Sequence, residues 1–174
     1  MKDMTVSKAL KWIFIAQILT ILAVIPVVGA ILAIIGFVMN LLALYGASKL
    51  EQGYHTAFIL SIVGIVVSII SAFAKGFVGT LVGIVSTVVS LGIIYFVIMT
   101  TNGLLKGNGD GEIAQKGEKV WKLNLICTVV SVVLSVVALI APGLAAVLAV
   151  IVAIVEIVAY ILYLVYLNKS YKAL

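Results

Sequence analysis

The stretch that decides the fold is WIFIAQILTILAVIPVVGAILAIIGFVMNLLALYGA, residues 12–47, which contains no charged residue. As one straight helix rising about 1.5 Å per residue, it would be far longer than the roughly 30 Å hydrocarbon thickness of a bilayer. The chain must therefore fold back, and PVVG at 26–29 places proline and glycine at the point of reversal. This stretch predicts two membrane spans joined by a very short turn.

The composition places the whole chain in the same class. Hydrophobic residues make up 65% of the 174 residues and charged residues 10%, against roughly 45–50% and about 25% in soluble domains. A soluble core could not cover that much apolar surface, and the length allows about one domain. We therefore predict an all-α integral membrane protein with a single membrane domain, residues 1–174.

Two further reversals resemble the first. AKGFVG at 74–79 and APG at 141–143 interrupt the other long apolar runs. The sequence thus predicts six transmembrane helices, paired as three short-turn hairpins at 8–48, 55–100 and 120–167, with a cytoplasmic loop at 101–119. The predicted spans are 8–25, 30–48, 55–73, 78–100, 120–141 and 143–167. Whether the three thirds are a duplicated repeat or only similar hairpins stays open.

The basic residues predict the orientation. All 11 are lysines, and Lys75 is the one that falls at a hairpin turn. The other ten lie at the termini or in the two polar connections: Lys2, Lys8, Lys11, Lys49, Lys106, Lys116, Lys119, Lys122, Lys169 and Lys172. The positive-inside rule then places both termini and both connections in the cytoplasm, in a plasma or inner membrane.

The net charge of +5 does not predict nucleic-acid binding, because the chain has no arginine and its lysines cluster at span ends. Lysines at such positions anchor to headgroups or to anionic lipid, so membrane lipids are the expected partners. The aromatic residues nearest the predicted cytoplasmic boundary would form an interfacial belt. They are Trp12, Tyr54, Trp121, Tyr166 and Tyr171.

Small and polar side chains recur along the spans at steps of three and four residues. The third span has Ala57, Ser61, Gly64, Ser68 and Ser71. In lipid such seams let helix backbones approach closely, and an average step of 3.5 predicts a left-handed bundle with shallow crossings. Packing surfaces are favoured over a polar conduction path, and serines bonded to their own helix would give the same pattern.

The candidate site is centred on Glu156, the acidic residue within AIVEIVAYILY at 153–163. Tyr160 and Tyr163 follow it on the same helix face, and Asn40 and Ser90 lie at a similar depth when counted from their turns. We expect Glu156 to face the bundle interior within a polar layer, where an ionisable group costs at least roughly 2.5–3.5 kcal/mol and is functional by default. It would bind a ligand, a cation or a proton. The alternative is a neutral carboxylic acid that acts as an interhelical hydrogen bond.

Enzyme chemistry is not predicted. No phosphate-binding, dinucleotide, nucleophile-elbow or zinc-protease motif is present, and the one histidine and the one cysteine, His55 and Cys127, cannot form a metal cluster. Glu156 has no histidine or second acidic residue at its depth. We therefore expect no catalytic residue, no metal and no cofactor.

Two features of the sequence resemble those of known families. AIVEIVAYILY resembles the second helix of rotor-ring subunits of rotary ATPases, but the glycine-repeat helix and polar turn of that family are missing, so membership is rejected. The span number and chain length resemble the substrate-binding subunits of energy-coupling-factor vitamin transporters. No ligand motif of those subunits is present, and the turns are too short for their lid loop.

Two functional hypotheses therefore stand. The first is binding or transport of a small apolar or lipid-like solute, or handling of a proton, around Glu156. The second is a non-catalytic scaffold or assembly subunit, oligomeric or bound to a protein partner through Lys106–Lys122, with Glu156 as an interhelical hydrogen bond. A pore is disfavoured because no charged stripe follows the seams.

Overall fold

The computed structural model describes residues 4–22, 25 and 28–174, and within these the chain forms six helices and no strand. The helices are α1 Val6–Ile21, α2 Val28–Ala47, α3 Gln52–Phe73, α4 Gly76–Gly107, α5 Gly111–Ile140 and α6 Pro142–Ala173. The prediction of an all-helical protein is confirmed. The first reversal, PVVG, includes residues 26 and 27, which lie outside the described residues.

Five of these helices, α2 to α6, are long and apolar enough to cross a membrane. This supports the assignment to multi-pass membrane proteins. Helix α1 has 16 residues, fewer than the roughly 20 that a span requires. Helices α4 and α6 have 32 residues each, about 48 Å at about 1.5 Å per residue. They therefore exceed the hydrocarbon thickness and extend beyond it.

The prediction of a loop at 101–119 is wrong. Helix α4 continues to Gly107 and α5 begins at Gly111, so only residues 108–110 interrupt the helices. Gly109 has φ 92, a left-handed conformation that glycine adopts without steric cost. The segment is polar in composition, but every third residue from Ala114 through Gly117 to Val120 is buried, which makes the start of α5 amphipathic. Composition concealed this periodicity.

The six helices form a closed ring. Each helix packs against the next one in the chain, and α6 packs against α1. Neighbours run in opposite directions, since Tyr54 near the start of α3 is hydrogen-bonded to Thr101 near the end of α4. Helices α4 and α6, the two neighbours of α5, also contact each other. Gly117 of α5 lies against residues of both.

Burial is concentrated at one end of the ring. The odd-numbered helices bury residues mainly in their first halves, and α4 and α6 mainly in their last halves. This is the end that has Lys106, Lys116 and Lys169, and it is called the lysine end below. At the opposite end, called the turn end, the side chains of Phe73 and Ile140 are 81% and 84% exposed. The bundle is thus tightly packed at the lysine end only.

Polar contacts close the lysine end. The hydroxyl of Tyr166 donates a hydrogen bond to Asn102 Oδ1 at 2.8 Å, and the hydroxyls of Tyr54 and Thr101 lie 2.7 Å apart. All four residues are buried. The prediction that Tyr54 and Tyr166 belong to an interfacial belt is therefore wrong, because their rings point into the bundle and their hydroxyls are satisfied there.

Gly117 is the position where α5 approaches these residues most closely. A methyl group on Gly117 would collide with Asn102 Oδ1 and with the ring of Tyr166. We expect Gly117→Ala to lower the free energy of unfolding by roughly 1–3 kcal/mol, because the added carbon must displace both side chains. Cys127 is buried and is the one cysteine in the sequence, so a thiol-reactive dye reports the unfolding midpoint in detergent.

Gly103→Ala is the matched control for this prediction. Gly103 lies next to Asn102 in α4, and a methyl group there would meet nothing within 4 Å. This substitution should raise stability by roughly 0.5–1 kcal/mol through the better helix propensity of alanine. Equal midpoints for the two variants would contradict the close packing at Gly117.

Candidate functional site

Four of the five predicted site residues line one cavity of about 220 Å³ near the middle of the ring. They are Asn40 of α2, Ser90 of α4, and Tyr160 and Tyr163 of α6. The rest of the wall is Ile13, Gln17, Leu44, Ile93, Ile94 and Val97. Residues that are far apart in the sequence therefore converge from four helices on a single space.

Gln17 of α1 is the lining residue that the sequence analysis missed. The hydroxyl of Tyr160 lies 2.7 Å from Gln17 Oε1 and 3.0 Å from the main-chain oxygen of Gln17, and it donates to these acceptors. The contact joins α6 to α1, where the ring closes. Gln17 could have been found by the criterion that selected Asn40, an uncharged polar side chain within an apolar run.

The cavity is of mixed polarity and uncharged. Its ten lining residues include two amides, two phenols and a serine, with no lysine, aspartate or glutamate. A charged guest would lack a counter-charge there and would lose its hydration. The lining therefore suits a small neutral molecule that has both hydrogen-bonding and apolar parts.

A larger cleft of about 490 Å³ continues from the cavity toward the turn end, sharing Asn40, Ser90 and Ile93 with it. Its lining includes Ser61, Ser68, Ala72 and Ser86. Helices α3 and α4 pack against each other, and the polar side chains of their seams also line this cleft. Ser61 and Ser90 donate to main-chain oxygens of their own helices at 2.9 and 3.0 Å, so they line the cleft without joining the helices.

Close helix packing through a small residue does occur at Gly36 of α2. A methyl group on Gly36 would lie 2.8 Å from the main-chain oxygen of Ala16 in α1, so only glycine permits this approach. By contrast, a methyl group on Gly64 of α3 would make an ordinary contact of 3.6 Å with Val89. The α1 and α2 backbones are therefore closer at Gly36 than those of α3 and α4 are at Gly64.

The cavity is closed toward the lysine end. Leu44 and Val97 line it, and both are buried and belong to the same hydrophobic core as Leu10, Tyr54 and Ile98. The Tyr166 and Asn102 pair lies beyond them, joining α4 to α6. The site is thus accessible from the cleft on the turn side and blocked on the lysine side.

Glu156 lies outside this cavity. It occupies a separate cleft of about 420 Å³ between α5 and α6, lined also by Ser135, Ala138 and Ala149, and it accepts a hydrogen bond of 2.5 Å from Ser131 Oγ. Its side chain is exposed, so the prediction that it is enclosed in the bundle interior is wrong.

Few residues are buried at the level of Glu156. Helix α5 has no buried residue after Cys127, and α6 has only Ala145 before Ala159. Glu156 keeps the predicted position on α6, one turn before Tyr160, but its cleft shares no lining residue with the cavity or with the cleft of α3 and α4. It therefore lies outside the site.

The charged groups of the described residues lie outside the cavity. Lys106 Nζ is 2.8 Å from Glu118 Oε1 on the surface of the lysine end, and this hydrogen bond and the lysine charge lower the pKa of the Glu118 carboxyl. Within the described part of the chain, no three histidine, cysteine, aspartate or glutamate side chains lie close enough to hold a metal ion.

No protein-family model, curated protein or solved structure matches the chain at a significant level. Functional inference therefore depends on the chemistry of the cavity and on the distribution of charge around the ring.

Proposed function

We propose that this multi-pass membrane protein binds a small neutral amphiphilic solute in the central cavity and passes it across the membrane. The observation that supports the proposal is the convergence of Gln17, Asn40, Tyr160 and Tyr163 on one uncharged cavity. Polar side chains within membrane spans are costly and are characteristic of solute pathways. The mixed lining supplies hydrogen bonds for orientation and apolar walls for contact.

The proposed route begins at the turn end. A solute enters along the cleft beside Ser68 and Ser86, binds near Tyr160, and leaves when the lysine end opens. In this scheme the contact between Tyr166 and Asn102 is the inner gate. The moving units are the three hairpins α1–α2, α3–α4 and α5–α6, whose helices cross with left-handed geometry. Opening one end while closing the other is the general requirement of alternating access.

The proposed orientation places the lysine end in the cytoplasm of a cell with a plasma or inner membrane. Lys49, Lys106, Lys119 and Lys169 lie at this end, whereas Lys75 lies at the turn end between α3 and α4. The positive-inside rule assigns the lysine-rich side to the cytoplasm. Both termini are then cytoplasmic, and the solute arrives from the outside.

Glu156 has a proposed role in proton handling. It lies one turn from Tyr160 in the separate cleft between α5 and α6, where an exposed carboxyl group can exchange a proton.

A second candidate function, a non-catalytic scaffold or assembly subunit with a partner at Lys106–Lys122, is favoured by a different observation. Ser131 of α5 donates a hydrogen bond of 2.5 Å to Glu156 of α6. This is the interhelical hydrogen bond that the scaffold hypothesis expects of Glu156.

Tyr160→Phe tests the solute site. The change removes the hydroxyl that contacts Gln17 and leaves the ring in place, so one polar group of the cavity is lost. We expect the occupancy of a co-purifying small molecule to fall about 2- to 10-fold, because one hydrogen bond to it is lost. Native mass spectrometry of the gently extracted protein measures this occupancy.

The control for this variant is Tyr95→Phe, since Tyr95 is exposed and does not line the cavity. It should retain the bound molecule at the wild-type level. Absence of any small molecule from all three proteins, together with a stoichiometric polypeptide, would contradict solute binding and support the scaffold.

Glu156→Gln separates a proton-handling role from a structural one. Glutamine keeps an oxygen that accepts from Ser131, so the unfolding midpoint should stay near that of the wild type, whereas Glu156→Ala should lose roughly 0.5–1.5 kcal/mol. Because an amide does not titrate, we expect Glu156→Gln to abolish solute-driven proton movement into liposomes that contain a pH-sensitive dye. Proton movement at the wild-type rate would assign Glu156 a structural role alone.

Cysteine labelling tests the orientation. In a Cys127→Ser background, Phe77→Cys reports the turn end and Asn108→Cys the lysine end, both at exposed positions. We expect a membrane-impermeant maleimide to label Phe77→Cys on intact cells and Asn108→Cys only after permeabilisation. The reverse pattern would contradict the cytoplasmic placement of the lysine end.

A further inference from the structure

A groove of about 290 Å³ lies between α5 and α6 at the lysine end. Its walls include Leu123, Leu162 and Val165, and its rim has Lys116, Lys119 and Lys169. The groove shares no lining residue with the cavity around Tyr160. It is therefore a second feature of the bundle, independent of the proposed solute site.

The groove combines an apolar interior with uncompensated positive charge. No acidic residue lines it, and among the described residues no ion pair joins any of its three lysines to a carboxylate. The nearby acid Glu118 is paired with Lys106, outside the groove, at 2.8 Å. The rim thus offers three ammonium groups to a negatively charged group.

The apolar and charged parts are arranged along the helix axes. On α5, Lys119 lies one turn closer to the lysine end of the bundle than Leu123 does. On α6, Lys169 lies two turns closer to the same end than Leu162 does. A molecule in this groove would therefore place its charge at the lysine end and its apolar part deeper between the helices. A phospholipid in a membrane leaflet has the same arrangement.

We infer that the groove is a binding site for one anionic phospholipid. Its phosphate lies among Lys116, Lys119 and Lys169, and the first part of an acyl chain lies between α5 and α6 against Leu123 and Val165. Juxtamembrane lysines attract anionic headgroups, whereas a zwitterionic headgroup would bring no net charge to the rim. The apolar walls distinguish this site from one for a free anion.

The test uses the full-length protein in mild detergent, titrated with phosphatidylglycerol or phosphatidylcholine and read by native mass spectrometry. We expect the wild type to retain one phosphatidylglycerol and to bind phosphatidylcholine at least tenfold more weakly. The triple variant Lys116→Gln, Lys119→Gln, Lys169→Gln should bind phosphatidylglycerol about tenfold or more weakly than the wild type. The control triple variant has the same charge change outside the groove, at Lys49, Lys75 and Lys122, and should bind as the wild type does.

Val165→Trp tests the groove itself, because it fills the space between α5 and α6 and leaves the three lysines unchanged. We expect it to lose the bound lipid while the Cys127 thiol assay still shows a cooperative unfolding transition. Retention of the lipid in Val165→Trp, or equal losses in both triple variants, would overturn the site in favour of diffuse surface attraction. Displacement of the lipid by millimolar inorganic phosphate would show that the groove binds anions and not a lipid. An acidic polypeptide bound in place of lipid would also overturn the lipid site.

Discussion

The structure depends on the contact of Tyr166 with Asn102, packed against Gly117. In lipid there is no hydrophobic drive that brings one apolar helix to another, so association depends on close packing and on hydrogen bonds between helices. This contact supplies both, because the hydroxyl of Tyr166 donates to Asn102 Oδ1 at 2.8 Å and Gly117 leaves no room for a side chain. It joins α4 to α6, the two helices that flank α5.

Fewer such contacts occur toward the opposite end. Ser131 of α5 donates to Glu156 of α6, but other serines and threonines there bond to main-chain oxygens of their own helices, as Thr87 does to Gly83 and Ser135 to Ser131. Such bonds satisfy the hydroxyls without joining one helix to another. Burial is therefore concentrated at the lysine end, and the cavity is blocked on that side and accessible on the other.

Charge follows the same asymmetry. The tightly packed end has most of the lysines, the uncharged cavity lies between it and the open end, and Glu156 lies in a separate cleft between α5 and α6. Helix α6 takes part in both proposed sites, because Tyr160 lines the cavity while Val165 lines the groove. Tyr166 lines this groove and also bonds to Asn102 in the proposed inner gate, so a lipid bound there would contact the gate, which offers a physical link between membrane composition and gating.

The sequence by itself determined the class of protein and the position of most helices. Long apolar runs interrupted by glycine and proline allow few alternatives in a bilayer, and Asn40, Ser90, Tyr160 and Tyr163 could be selected because polar groups in such runs are costly. Composition did not predict the helical structure within 101–119. The polar start of α5 is helical there because every third residue is buried. Composition also failed to show that Gln17 completes the cavity.

Tertiary structure decided which of these side chains are covered. Glu156 lies on the face of α6 that periodicity predicts, yet its side chain is exposed in a cleft between α5 and α6. Tyr54 and Tyr166 are buried at a level where the sequence predicts an interface. Periodicity is a property of one helix, and it states which residues share a face. Whether that face is enclosed depends on the distance to other helices, which is set by contacts between residues far apart in the chain.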